Sequence, residues 1–377
     1  MQTYQSLLLL NSSSFQNALS ALKDYSISNI CFFDIETTGL SANISSLYLI
    51  GCGHFETDGE ENTNFVLTQW FADDYVSEKE LLLSFYEYVQ NFHYLFHYNG
   101  SGFDIPYLEK KYHQHSLPSP FERIESIDLY KKFKPFKQFF PLSNLKLTSM
   151  EKFLHIQRKD TFSGKDCIEL YVNYMKNKYY QNEEERNDCE KKLLIHNYDD
   201  IIGTFLCSQL LFYTNPLSGE VYLTSGQVTQ NQDFLLISFD ETGYFPQKIQ
   251  YKAEKLSLSY EQNLCKVTLP LYQTTGYFFF ADYKNYYYLP AEDEAIHKSV
   301  AKFASSDHKI KATAKNCYKK KEGIFLEVPF PQKAKNIIGN TPLFYSKNKA
   351  VCYIEWKGEL PDWYLPHYIQ NISRDAK

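Results

Sequence analysis

Apolar and polar positions in the first part of the chain sort by period. "ISNICFFDI", "SSLYLIGCGHFE" and "TNFVLTQWFA" are compact runs rich in Ile, Phe and Leu, the composition of strands, and "TDGEEN" between the last two is a hairpin signal. Residues 76–92, "VSEKELLLSFYEYVQNF", switch to helical spacing behind an acid-rich first turn, and residues 13–24 read as a short amphipathic helix with serine as its cap. "HYLFHYNG" reads as a fourth strand, after which Gly-Ser-Gly leads into a helix near "FDIPYLEKKY". "LSNLKLTSMEKFLHI" and the stretch 182–213 are helical again. Three strands, a helix, a strand and then helices is the order of an α/β mixed sheet flanked by helices.

At "TNPLSGE", residues 214–220, the pattern changes. Strand-like runs ("EVYLTS", "DFLLISF", "KVTLPLY", "GYFFFAD", "NYYYLP", "GIFLEVPF", "AVCYIEW") now alternate with turns, and "EDEAIHKSVAKFA" alone has helical spacing. The pattern therefore predicts two domains in the 377 residues, α/β over 1–214 and mainly β over 215–377.

Charge sharpens this division. Residues 1–214 hold 19 Lys+Arg against 28 Asp+Glu and residues 215–377 hold 20 against 17, net charges of −9 and +3. An acidic half suits a metal-dependent site, and a mildly basic half tolerates phosphate. The 32 Tyr and 29 Phe fill cores and can also stack on bases. Eight scattered cysteines without a C-x-x-C pair argue against a zinc site or a disulfide scaffold and are expected as free thiols in a reducing cytoplasm. "SLLLLNSSSF" is too short for a membrane span and has no basic flank, so neither signal peptide nor anchor is expected.

The candidate chemistry is acidic. In a strand, residues i and i+2 face one side, so Asp34 and Glu36 of "CFFDIETTGL" can present two carboxylates to one hard divalent cation where the strand leaves the core. Asp104 in "NGSGFDIPYL" reads either as a helix cap before Pro106 or as a third ligand beside the Asn99-Gly100 bend. In "LLIHNYDDIIGT", His196 and Asp200 share a helix face while Asp199 points about 100° away; the competing reading is a solvated helical turn. Four acids from three separated segments suit two metal ions acting on a phosphodiester, with His196 accepting or steering the proton of the attacking water.

These three segments, in this order, resemble the three exonuclease motifs of the DEDD family of the ribonuclease H-like superfamily, and among its branches the YprB-like ribonuclease H-like proteins of bacteria, over about residues 28–213. The resemblance implies a ribonuclease H-like fold, two Mg²⁺ or Mn²⁺ ions on Asp34, Glu36, Asp104 and Asp200, and release of nucleotides from a 3′ end of DNA or RNA. Thr37 and Asn99, beside the first two motifs, are expected to meet substrate. "SIDLY" also resembles a family segment, with Asp128 read as structural. One departure stands out: members carry histidine five residues before the last aspartate or tyrosine four before it, whereas here Ile195 is five before and His196 four before, with Tyr198 on another face. The rival readings are a non-catalytic nucleic-acid-binding module on the same fold and an endonuclease using the same acids. In the β domain, "HKIKATAKNCYKKK" offers Lys309, Lys311 and Lys319 as phosphate contacts or as a solvated hairpin, and the domain can instead bind a protein partner.

Overall fold

The computed structural model describes residues 1–57, 63–218, 227–240, 245–302, 308–329, 332 and 337–372. It divides into two compact units, Met1–Thr214 with Thr242–Gln247, and Asn215–Glu241 with Lys248–Lys377. The "TDGEEN" turn beyond Thr57, the "EVYLTS" run and residues 303–304 lie outside the described residues.

The first unit is built on β1 (Gln2–Leu9), β2 (Ile30–Thr37), β3 (Leu47–Thr57), β4 (Thr63–Phe71), β5 (Tyr94–His97) and β6 (Glu125–Asp128). They form a mixed sheet in the order β1-β4-β3-β2-β5-β6, antiparallel from β1 to β2 and parallel from β2 through β5 to β6. Its helices are α1 (Ser13–Ala21), α2 (Glu78–Val89), α3 (Asp104–Gln114), α4 (Leu129–Phe133), α5 (Leu147–Phe153), α6 (Gly164–Tyr179), α7 (Glu183–Cys207) and α8 (Leu211–Ser218).

Strand β2 is central, and its two faces do different work. Cys31, Phe33 and Ile35 join a core with Leu81, Leu82, Phe85 and Val89 of α2. The alternate residues, Phe32, Asp34 and Glu36, face α7. Phe205 of α7 lies 5.5 Å from Phe32 and stacks on Phe65 at 5.1 Å, anchoring the helix in an aromatic cluster. From that anchor α7 runs back along β2, bringing Asn197 to Asp34 and His196 to Glu36. The close approach requires Gly51 on β3, where an added Cβ would lie 2.0 Å from Asn197 Oδ1 and 2.4 Å from Ile201 Cδ1.

Three elements differ from the sequence pattern. Gln2–Leu9 is an edge strand paired with β4; its exposed leucines do not alternate, because backbone hydrogen bonding holds it more than side-chain burial does. Helix α6 was not foreseen; it starts on a capping box in which the Ser163 and Asp166 side chains each bond the other's backbone. The helix expected over "LSNLKLTSMEKFLHI" shortens to α5.

The second unit carries β7 (Gln227–Gln230), β8 (Phe234–Asp240), β9 (Ile249–Lys252), β10 (Ser257–Glu261), β11 (Leu264–Pro270), β12 (Tyr272–Phe279), β13 (Tyr286–Leu289), β14 (Glu294–His297), β15 (Ile310–Lys311), β16 (Tyr318–Glu327), β17 (Leu343–Tyr345) and β18 (Cys352–Glu355). They assemble as an antiparallel sheet β7-β8-β11-β10-β9, a closed barrel β12-β16-β18-β17 and a small sheet β14-β13-β15. The helix expected in "EDEAIHKSVAKFA" is instead β14 followed by the four-residue α9 (Lys298–Ala301), because Ala295 packs with Ala312 and Cys317 in a sheet core. The described unit ends in α10 (Tyr364–Ile372). All eight cysteines are buried thiols outside any disulfide, and among the described residues no helix is long and apolar enough to cross a membrane.

Candidate metal centre

Asp34 and Glu36 project from the end of β2, Asp104 opens α3, and His196 and Asp200 sit one turn apart on α7. One ligand atom from each of Glu36, His196 and Asp200 lies within 4.8 Å of the other two. His196 Nε2 is 3.6 Å from Glu36 Oε1 and 3.6 Å from Asp200 Oδ2. Asp104 does not cap α3: Phe103 holds that position, without a side-chain bond, and Asp104 is the first residue of the helix.

Electrostatics ties Asp34 and Asp104 to the same group. Burial, then the charges of Asp200, Glu36 and Asp104, hold the Asp34 carboxyl well above the usual range, against a hydrogen bond from Asn197. Glu36 is pushed up to about 8 by burial, with Asp200 and Asp104 adding and His196 opposing. Asp104 is pushed up to about 7, again by burial first and then by Asp200 and Asp128, against a backbone hydrogen bond. Carboxylates crowded into one desolvated corner repel one another until a cation neutralises them. Oxygen donors with one imidazole edge suit Mg²⁺ or Mn²⁺, so the residues present fit a divalent ion.

Four further residues complete the centre. Asn197, fully buried, donates to Asp34 Oδ2 at 2.9 Å and accepts from Gln69 Nε2 at 2.9 Å, which fixes the first carboxylate. Arg158 forks between acids: Nη2 lies 2.7 Å from both Asp200 Oδ1 and Asp160 Oδ2, and Nη1 lies 3.0 Å from Glu151 Oε1. Asp160 Oδ2 also lies 3.1 Å from His196 Nδ1. The loop carrying Arg158 and Asp160 is fastened to α7 by Asp199, whose Oδ2 accepts from the backbone N–H of Lys159 at 2.5 Å and of Asp160 at 2.9 Å. Lys159 lies over the Tyr198 ring at 4.3 Å, which turns Tyr198 to the loop and away from the acids.

The other expected residues fall around this core. Thr37 is buried, and its hydroxyl donates to the Gly39 carbonyl at 2.9 Å, shaping the turn after β2. Asn99 is exposed with φ +63°, held by its N–H donating to Asp128 Oδ1 at 3.0 Å. Asp128 also accepts from Ser101 N and caps α4 through Lys131 N, the structural part expected of it. Lys309, Lys311 and Lys319 belong to the second unit. Lys309 donates to the Ala301 carbonyl at 2.6 Å beside the Tyr287 ring, while Lys311 and Lys319 are exposed on β15 and β16.

Residues 31–211 match the RNase_H_2 family model of the RNase_H superfamily. A comparison with curated proteins gives no match. Among solved structures, Escherichia coli exonuclease I in complex with a dT13 oligonucleotide is 14% identical over 50% of this chain and 41% of that one, at a TM-score of 0.30, a likeness too slight to bear on the site. The mixed sheet with its flanking helices is thus an RNase H-like domain, followed along the chain by a mainly β region of antiparallel strands.

Proposed function

We propose that the chain is a metal-dependent nuclease that hydrolyses nucleic-acid phosphodiester bonds, and specifically a 3′–5′ exonuclease of the DEDD type using two Mg²⁺ or Mn²⁺ ions. The observation that supports this reading is the close grouping of Glu36, Asp200 and the His196 ring, with the buried carboxyls of Asp34 and Asp104 raised in part by the charge of Asp200. These four carboxylates would hold the ions. Ions bound there supply Lewis acidity toward a phosphodiester and a water of lowered pKa.

The chain's own residues do the rest. Asn197 holds Asp34 in place. His196, whose Nε2 lies 3.6 Å from Glu36 and from Asp200, would take the proton of the attacking water. Thr37 and Asn99, next in sequence to the first two motifs, would meet substrate, and Lys309, Lys311 and Lys319 would add phosphate contacts that read no sequence.

The test is cleavage of 5′-labelled single- and double-stranded DNA and RNA in Mg²⁺, Mn²⁺ or EDTA, beside the Asp34→Asn variant and substrates with blocked 3′ ends. The expected result is a metal-dependent ladder that shortens from the 3′ end and is absent in the variant and on blocked ends. Cleavage that persists in Asp34→Asn would sink the assignment, and cutting of blocked substrates would replace exonuclease by endonuclease.

A further inference from the structure

The four-residue spacing of His196 and Asp200 puts both on one face of α7, so the ring needs a support from outside the helix to fix its plane. That support is on the loop before α6. Asp160, 6% exposed, offers Oδ2 to His196 Nδ1 at 3.1 Å and to Arg158 Nη2 at 2.7 Å, while its Oδ1 accepts from Phe162 N at 2.7 Å. Its own N–H is tied to Asp199. Both carboxylate oxygens and the backbone N–H of Asp160 therefore have partners, which hold the carboxylate in place. Oδ2 already accepts from Arg158 Nη2, and a carboxylate oxygen paired with a guanidinium acts as an acceptor, so the ring presents Nδ1–H to it.

Building on the nuclease reading, we propose that Asp160 is the positioning residue of the centre: through Nδ1 it fixes the ring plane and tautomer of His196, so that Nε2 faces Glu36 and Asp200 as the atom that accepts a proton from the attacking water. The balance is simple. Water loses a proton to Nε2 as its oxygen attacks phosphorus, the electron pair of the breaking P–O bond leaves on the 3′ oxygen, which takes a proton from solvent to become the new 3′ hydroxyl, and the Nδ1 proton stays on the ring throughout. Arg158 belongs to the same device, because it holds Asp160 and the last carboxylate, Asp200, with one nitrogen. A merely structural Asp160 would brace the loop at Phe162 without directing the ring.

The experiment combines a spectroscopic and a kinetic readout on the full-length protein. In ¹⁵N-labelled wild type, with His196→Gln used only to assign the signal, His196 Nδ1 is expected to be protonated and shielded from exchange. In Asp160→Asn, kcat is expected to fall by about 10²–10³-fold. KM and the calorimetric Mn²⁺ affinity should stay within about threefold. Asp160→Glu, which keeps the acceptor, is expected to recover part of kcat. An unprotonated Nδ1 in wild type, or Asp160→Asn with unchanged kcat, overturns the proposal. The wild-type spectrum decides alone if Asp160→Asn does not fold. A wild type that cleaves nothing while Nδ1 is protonated overturns the nuclease reading, and the proton-transfer role with it. A wild type that cleaves with Nδ1 bare overturns the positioning role only.

Discussion

Glu36 and Asp104 keep their protons to about 8 and about 7, far above their ordinary values of 4.5 and 3.8. A carboxyl with a raised folded-state pKa stabilises the fold below its unfolded value, and that contribution is lost as pH rises through the folded value. Without metal, thermal stability should therefore decline between about pH 4 and pH 8. Divalent metal should reverse the trend, because binding requires the deprotonated acids and releases their protons. Melting curves at stepped pH in EDTA and in Mn²⁺ check this; a metal-free profile flat over that window would mean the acids are not desolvated as described. Most of the centre's acids could be read from the sequence because each pair follows a local period, two residues on a strand and four on a helix. Arg158 and Asp160 could not. Their partners lie 36 to 42 positions away, on a segment with no period, where a basic residue next to an acid looks like any solvated loop.

Among the elements, α7 does most to build the centre, and what lets it do so is a missing side chain. At Gly51 a methyl group would meet Asn197 Oδ1, an atom that cannot retreat without losing Gln69 or moving the amide that holds Asp34. Gly51→Ala should cost about 1–3 kcal/mol of stability, measured by urea unfolding. It should also weaken Mn²⁺ binding, because the strain lands on the amide that orients a ligand. A variant with wild-type stability and metal affinity would show that α7 can shift outward freely. The run "LIGCGHF" reads as a strand, but nothing in it says that its glycines face a helix, Gly51 meeting Asn197 146 residues later in sequence. The same limit hid β1, and it hid the strand Glu294–His297 inside a run of helical spacing, where the sheet partners of Ala295 outweigh that spacing.

For the whole molecule the question is what the β region adds. Several of its described lysines are engaged: Lys320 and Lys347 pair with Asp293, and Lys321 with Glu355. Exposed pairs of this kind contribute little to stability and can be exchanged for phosphate. If Lys309, Lys311 and Lys319 touch the nucleic-acid backbone, replacing all three by Ala in an Asp34→Asn background should lower the slope of log affinity against log salt by about 2–3. Fluorescence anisotropy on a labelled oligonucleotide measures this, and an unchanged slope would leave the β region to a protein partner.

Strand β2 interleaves two kinds of residue, and folding is constrained by it. Phe32, Asp34 and Glu36 face α7 while Cys31, Phe33 and Ile35 enter the apolar layer under α2. A slip of one residue against β3 would drive both carboxylates into that layer and deliver Phe33 and Ile35 to the metal corner. Misfolding and loss of the acid cluster are therefore one event at this strand. A chain that pairs wrongly here cannot persist as a stable protein with a damaged site, so the soluble fraction of any preparation should be uniformly competent to bind metal.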